Sequence, residues 1–137
     1  MSSVVPFRAV NASEEQVQRA LAEYLAWNLK PGVMWTHMPS GGMRDRVAGA
    51  KLKAMGHHAG WPDLQFVFGG TILFLELKTV GGRVSDTQFE VHQALRAQGV
   101  TVRVAAGLDE ALAIIDMWGL FKRPVSEFSA RAAGDKS

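Results

Sequence analysis

The apolar and polar positions of the chain alternate between a helical period and a strand period. Residues 13–30 carry apolar side chains at helical spacing behind a serine and two acidic residues, which predicts a capped helix that ends at Pro31 and Gly32. Residues 33–38 are a short strand candidate. Residues 44–56 indicate a further helix, which two internal glycines weaken.

A β-hairpin is predicted at the centre of the chain. Residues 64–68 and 71–78 are apolar runs separated by Gly69 and Gly70, which is a two-residue turn signal. Both runs are almost continuously apolar, as is typical of strands that are buried on two faces.

The second half of the chain continues with alternating elements. Ser85 and Gln88 have the spacing of a capping box, and the helix behind them ends at Gly99. Residues 100–106 then predict a strand and residues 108–120 a final helix. The order is therefore helix, strand, basic insertion, hairpin, helix, strand, helix, which predicts an α/β fold with a small mixed sheet flanked by helices.

The composition is that of an ordinary globular domain, with 137 residues, 47% hydrophobic and 20% charged. We expect one domain over residues 1–121, with an N-terminal extension at 1–12, and a frayed tail at 122–137. The chain has no cysteine, no long apolar run and no signal-peptide pattern. We therefore expect no disulfide, no contact with a membrane and a cytoplasmic location.

Basic residues are concentrated in two segments. Residues 41–60 carry four basic residues against one acidic residue, and residues 122–137 carry four against two. These segments contribute +3 and +2 to a net charge of +2, which leaves −3 for the rest of the chain. A polyanionic partner would explain the distribution, and so would a solvated surface.

Residues 41–60 have the composition of a mobile insertion that contacts phosphate groups. Such contacts would make binding salt-dependent and would position a nucleic acid without reading its sequence. Trp61, directly behind the insertion, would either stack on a base or sugar or cover the core, and we favour the core. His37 and His92 are interpreted as surface or core histidines rather than ligands. The candidate DNA contacts are Arg44, Arg46, Lys51, Lys53, His57, His58, Gln18 and Trp61.

Three ionisable residues lie inside the apolar hairpin. Asp63 begins the first strand, and Glu76 and Lys78 lie near the end of the second. A turn at 69–70 brings these positions together, and residues two apart share a face at roughly 7 Å. Two carboxylates about 4 Å apart repel by roughly 4 kcal/mol at an effective dielectric constant of about 20. A divalent cation or Lys78 would offset that repulsion, so the cluster is either a metal site or a structural salt bridge.

The same residues match a known family pattern. The stretch from Gly60 to Leu64, the motif Glu76-Leu77-Lys78, Gly81-Gly82 and the segment from Ser85 to Gln88 resemble the VRR-NUC (virus-type replication-repair nuclease) family of the PD-(D/E)XK superfamily. The resemblance extends from about Ser13 to about Gly119. It implies a restriction-endonuclease-like fold and a Mg²⁺- or Mn²⁺-dependent phosphodiesterase that acts on DNA, without a small-molecule cofactor.

By the resemblance, Asp63 and Glu76 are metal ligands, the Leu77 backbone carbonyl is a further ligand, and Lys78 is the catalytic lysine. Gln88 matches the family glutamine on the following helix, although it also fits the capping box. The family places a glutamate on the first helix as well. Glu14 is favoured over Glu15 because its spacing from Val17 and Leu21 places it on the buried face, with Gln18 one turn further on. Alternatively, Glu14 and Glu15 are first-turn acids that only stabilise the start of the helix through its dipole.

The resemblance therefore predicts an endonuclease that hydrolyses phosphodiester bonds with a metal-activated water. Its expected substrate is branched DNA such as a four-way junction, which two chains related by a two-fold axis would cut symmetrically. Ile114, Ile115, Met117 and Trp118 are candidates for either core or dimer contact. A phage or bacterial source is the expectation. The alternatives are a flap or restriction-type nuclease, a non-catalytic DNA-binding subunit, and a protein whose charged residues form only a salt bridge.

Overall fold

The computed structural model describes residues 12–38 and 46–125, and these form four helices and four strands. The elements agree with the predicted order, and the hairpin strands have the predicted bounds. In chain order they are α1 (Glu14–Asn28), β1 (Met34–His37), α2 (Arg46–Ala54), β2 (Leu64–Phe68), β3 (Thr71–Lys78), α3 (Asp86–Ala97), β4 (Thr101–Ala106) and α4 (Leu108–Met117).

The strands form one mixed sheet in the order β1-β2-β3-β4. The first three strands are antiparallel, and β4 is parallel to β3 because α3 carries the chain back across the sheet. Gly69 and Gly70 both have positive φ, at 60° and 80°, as a tight two-residue hairpin turn requires. This hairpin fixes the register that brings the start of β2 beside the end of β3.

The two faces of the sheet have different partners. Leu73, Leu75 and Leu77 of β3 point into the core, where they pack with residues of α1 and α4. The alternate residues Phe74 and Glu76 point to the opposite face, on the side of α3. The site residues are therefore separated from the main core by the sheet itself.

The prediction that both hairpin strands are buried on two faces is confirmed for β3 and wrong for β2. Residues 73–77 of β3 are all buried, whereas on β2 Gln65 and Val67 are half-buried and Phe68 is exposed. Gln65 and Val67 are on the face that bears α3, but α3 packs against β4, two strands away from β2. Phe68 is the last residue of β2, directly before the turn.

The C-terminal end of the described chain is attached to α1. Tyr24 packs edge-on against Phe121 at 5.2 Å between ring centroids, and the Lys122 N–H donates to the Asn28 carbonyl. The first residues of the predicted frayed tail are thus held in place, while residues 126–137 lie outside the described residues. Within the described part, no helix has the length and apolar character needed to cross a membrane.

Candidate active site

The sheet register places Asp63 beside Glu76. Leu64 is paired with Leu75 across β2 and β3, so the preceding residue Asp63 lies opposite Glu76 and on the same face. Both side chains are buried, Asp63 at 8% and Glu76 at 1% exposure. Two buried carboxylates side by side need partners that offset both their desolvation and their mutual repulsion.

Nitrogen atoms surround the Glu76 carboxylate. Its Oε2 atom accepts a hydrogen bond from Gln88 Nε2 at 3.0 Å and lies 3.6 Å from Lys78 Nζ. Its Oε1 atom lies 3.6 Å from His92 Nε2. Lys78 is itself largely buried, with 12% of its side chain exposed, so its interaction with Glu76 is weakly screened. The predicted proximity of Glu76 and Lys78 is confirmed.

Asp63 is held by the backbone of the opposite strand. Its Oδ2 atom accepts a hydrogen bond from the Leu77 N–H at 2.9 Å. The N–H and C=O of one strand residue point to the same side, so the Leu77 carbonyl lies on the side of Asp63. Asp63, Glu76 and the Leu77 carbonyl are therefore oxygen groups at one end of the β2–β3 pair.

The loop before Asp63 is pressed against the start of α3. Gly60 has φ of +87°, and a Cβ atom there would lie 2.9 Å from the Thr87 carbonyl oxygen and 3.0 Å from Val91. Only glycine fits such a close approach at positive φ. Trp61 packs edge-on against Phe74 with ring centroids 6.0 Å apart, and its half-buried indole agrees with the favoured core role. The loop thus fixes Asp63 relative to the helix that carries Gln88.

Gln88 has two structural roles at once. Its backbone N–H donates to Ser85 Oγ at 3.1 Å, and its side-chain Oε1 accepts from the Ser85 N–H at 2.9 Å, which completes the predicted capping box. Its Nε2 atom is then free to donate to Glu76. The two roles were predicted as competing interpretations, but the amide serves both because one end accepts and the other donates.

The oxygen groups fit a hard divalent cation. Glu76 Oε1 is a buried acceptor without a hydrogen-bond partner, and carboxylate and carbonyl oxygens are the ligands that Mg²⁺ and Mn²⁺ prefer. Within residues 12–38 and 46–125, no three acidic or histidine side chains form a metal-binding group. The described groups that could bind such an ion are therefore the two carboxylates and the Leu77 carbonyl, a small set that would suit an ion which keeps several waters.

Solved structures of other proteins have the same architecture. One, named "VRR_NUC domain protein", matches with a TM-score of 0.65 and 26% sequence identity, over 78% of this chain and 88% of that chain. Another, named "VRR_NUC domain", matches in fold with a TM-score of 0.53 and 22% identity, over 77% of this chain and 97% of that one. No family model matches the sequence, and no curated protein does.

This chain is therefore similar in fold and in sequence to a VRR_NUC domain protein. The sequence resemblance and the structural match agree on this family. The mixed four-stranded sheet flanked by helices is the PD-(D/E)XK type of fold, so the predicted fold class is confirmed.

Glu14 does not lie on the buried face as predicted. It is exposed, as is Glu15, whose carboxylate pairs with Arg19 at 2.9 Å. Glu14 is the first helical residue after the Ser13 cap, so it precedes the first core residue, Val17, by a full turn. In addition, α1 packs on the face of the sheet opposite Glu76. A metal-ligand role for Glu14 stays a prediction.

The predicted DNA contacts fall into two groups. Lys51, Lys53 and His58 are exposed, and Gln18 and His57 are half-buried. The helix predicted in the basic insertion is confirmed as α2, to which Arg46 contributes backbone. Arg44 and the rest of residues 39–45 lie outside the described residues. The mobility of the insertion stays a prediction.

His92 was interpreted as a surface or core histidine rather than a ligand, and it is buried, at 1% exposure. Its position beside Glu76, with Nε2 3.6 Å from Oε1, was not predicted. The signal that would have found it is its spacing, because residues four apart lie on one face of a helix and Gln88 precedes His92 by four.

Proposed function

We propose that this chain is a Mg²⁺- or Mn²⁺-dependent DNA endonuclease that hydrolyses phosphodiester bonds. The observation that supports this most strongly is the buried Glu76, which has one oxygen without a hydrogen-bond partner and a lysine 3.6 Å from the other. A purely structural salt bridge would leave no need for a second buried carboxylate, Asp63, on the same face. The nuclease domains named among the similar structures favour the same conclusion.

Each residue has a role that follows from its position. Asp63, Glu76 and the Leu77 carbonyl would bind the metal ion, and Gln88 orients Glu76. A bound divalent cation supplies charge stabilisation to the phosphate and lowers the pKa of a bound water. The Lys78 ammonium, held in a weakly screened position, would stabilise the negative charge that develops on the phosphate oxygens.

The proposed substrate is branched DNA, with the exposed Lys51 and Lys53 of α2 as phosphate contacts. Symmetric cutting would require a homodimer, since the described residues form one such site. Ile114 and Ile115 are buried in the core of their own chain, and Trp118 packs on Phe66. Of the four candidate contacts on α4, the structure leaves Met117 exposed, so a dimer would have to use other surfaces as well.

The test is cleavage of labelled four-way junction, flap, splayed and linear duplex DNA with Mg²⁺, Mn²⁺ or EDTA, by the wild type and by Lys78→Ala. Arg19→Ala, which removes an exposed cation on α1, is the matched control. We expect metal-dependent cutting, a loss of about 100-fold or more in Lys78→Ala, and no change in Arg19→Ala. Binding without cutting in any metal would indicate a DNA-binding subunit. If the protein neither binds nor cuts DNA, the cluster is only a structural salt bridge.

The homodimer is tested separately by light scattering across a range of protein concentrations. A mass of twice 14.9 kDa is expected. A monomeric mass at high concentration, together with cutting of a four-way junction, would mean that the two strands are cut in separate encounters.

A further inference from the structure

His92 is a fully buried polar side chain on α3. It is 1% exposed, and its Nε2 atom has no hydrogen-bond partner. A buried polar atom without a partner destabilises the folded state, so such atoms are rare unless they serve a purpose.

The neighbour of His92 Nε2 is a second buried atom without a partner. Glu76 Oε1 lies 3.6 Å away and is likewise unpaired. An N–H to oxygen hydrogen bond has a length of about 2.7–3.2 Å, so a shift of about half an ångström would satisfy both atoms together. Hydrogen bonds at active sites are often long before the substrate binds and shorten in the productive complex.

The geometry of α3 explains why two of its side chains reach the same carboxylate. Gln88 and His92 are four residues apart, so they lie one above the other on one face of the helix. Gln88 Nε2 contacts Oε2 of Glu76, and His92 Nε2 faces Oε1. One helix face thus approaches both oxygens of the carboxylate.

We propose that His92 is a positioning residue for Glu76. In the tautomer that carries the hydrogen on Nε2, it donates to Oε1 and, with Gln88, fixes the plane of the carboxylate that would bind the metal. Asp63 is fixed independently by the Leu77 N–H. The oxygen pair is therefore preorganised for a cation before DNA binds. This role rests on the proposed function.

The experiment measures Mn²⁺ binding by calorimetry, without DNA, for the wild type, His92→Phe and His92→Gln. Leu95→Ala is the matched control, because it shortens a half-buried side chain one turn further along α3. Loss of a residue that orients a metal ligand costs about 10- to 100-fold in metal affinity. We expect His92→Phe to lose Mn²⁺ affinity by that factor. Its kcat for DNA cleavage should fall similarly, with KM for DNA unchanged. His92→Gln, which retains a donor, should recover most of both, and Leu95→Ala should bind Mn²⁺ as the wild type does.

Two results would overturn the proposal. One is a His92→Phe variant with wild-type Mn²⁺ affinity and kcat, and the other is an equal loss in His92→Phe, His92→Gln and Leu95→Ala, which would show a general effect on the fold. Circular dichroism establishes first that each variant folds, and His92→Leu replaces His92→Phe if the latter does not. A wild type that binds no Mn²⁺ and cuts no DNA would instead refute the proposed function, and the role of His92 with it.

Discussion

Two helices of this chain begin with the same capping box and use it differently. Ser13 and Ser85 have nearly identical backbone angles, with φ of −73° and −72° and ψ of 164° and 165°. In each box the serine Oγ accepts from the backbone N–H of a glutamine three residues on, at 3.1 Å, and the glutamine Oε1 accepts from the serine N–H. On α1 the glutamine, Gln16, is exposed. On α3 it is Gln88, and its amide also donates to Glu76.

The comparison separates what local sequence determines from what the fold adds. Serine followed three residues later by glutamine is sufficient for both caps, because the capping bonds are local. Only the second box lies over a buried carboxylate, since the hairpin register brings Glu76 beneath α3. Gln88 therefore makes both the capping bonds and a bond to Glu76, and Gln16 is its natural control.

The largest difference is expected when each glutamine is replaced by glutamate. Glutamate also completes a capping box, so Gln16→Glu should change stability little. Gln88→Glu places a second carboxylate at hydrogen-bond distance from the buried Glu76, and we expect a loss of about 2–4 kcal/mol in the free energy of unfolding. Urea unfolding of the two variants measures it. Equal effects would show that Gln88 acts only as a cap.

Replacement of Asp63 gives the next largest expected effect. A catalytic pair predicts that Asp63→Ala leaves stability unchanged or raised, because repulsion is relieved. The structure shows that this change also removes the acceptor of the buried Leu77 N–H, which costs about 1–3 kcal/mol. Asp63→Asn keeps an acceptor and removes the charge, so it should be at least as stable as the wild type while cleavage disappears. An Asn variant that is as destabilised as Asp63→Ala in thermal unfolding would favour a purely structural salt bridge.

Removal of the two serines is a milder form of the same comparison. Ser13→Ala and Ser85→Ala should each lose about 1 kcal/mol, the ordinary value of a helix cap. Ser85→Ala should also slow cleavage several-fold because Gln88 loses one of its anchors, whereas Ser13→Ala should not. Single-turnover rates at matched folded fractions test this, and identical rates would contradict the link between cap and site.

The smallest expected effect is a pH dependence of stability that arises from Tyr24 on α1. Burial, and then the nearby negative charge of Asp116, raise the pKa of Tyr24, the single tyrosine of the chain. A raised pKa in the folded state means that stability is full below about pH 10, the unfolded value, and is lost as pH rises through the folded pKa. Tyr24 is partly exposed, so the loss should be small. The slope of Tm against pH from 8 to 11 should be shallower in Tyr24→Phe than in the wild type. Equal slopes in the two proteins would contradict a raised pKa of Tyr24 in the folded state.

The sequence predicts the hairpin and the Asp63, Glu76 and Lys78 cluster well, because a glycine turn fixes strand register. From that register the neighbours across the sheet follow without further information. Gln88 was predicted on the helix after β3, although its double use was not, since the sequence does not show how far an amide reaches across to a sheet.

The positions that the sequence predicted poorly depend on packing between distant elements. Glu14 has the right helical phase for the core but lies beyond its edge, at the first turn of α1. His92 resembles any buried histidine until the structure shows Glu76 beside it. The half-burial of Gln65 and Val67 on β2 depends on where α3 packs, which apolar alternation alone does not reveal.

The most direct test of the account is cleavage of DNA by Glu76→Gln in Mn²⁺, beside the wild type and Gln16→Glu. Glutamine has nearly the shape of glutamate and keeps an acceptor for Gln88, so the variant should fold while it loses the charge that would hold the metal. We predict metal-dependent cutting by the wild type and by Gln16→Glu, and none by Glu76→Gln. Undiminished cutting by a folded Glu76→Gln would contradict the assignment of this cluster as the catalytic site.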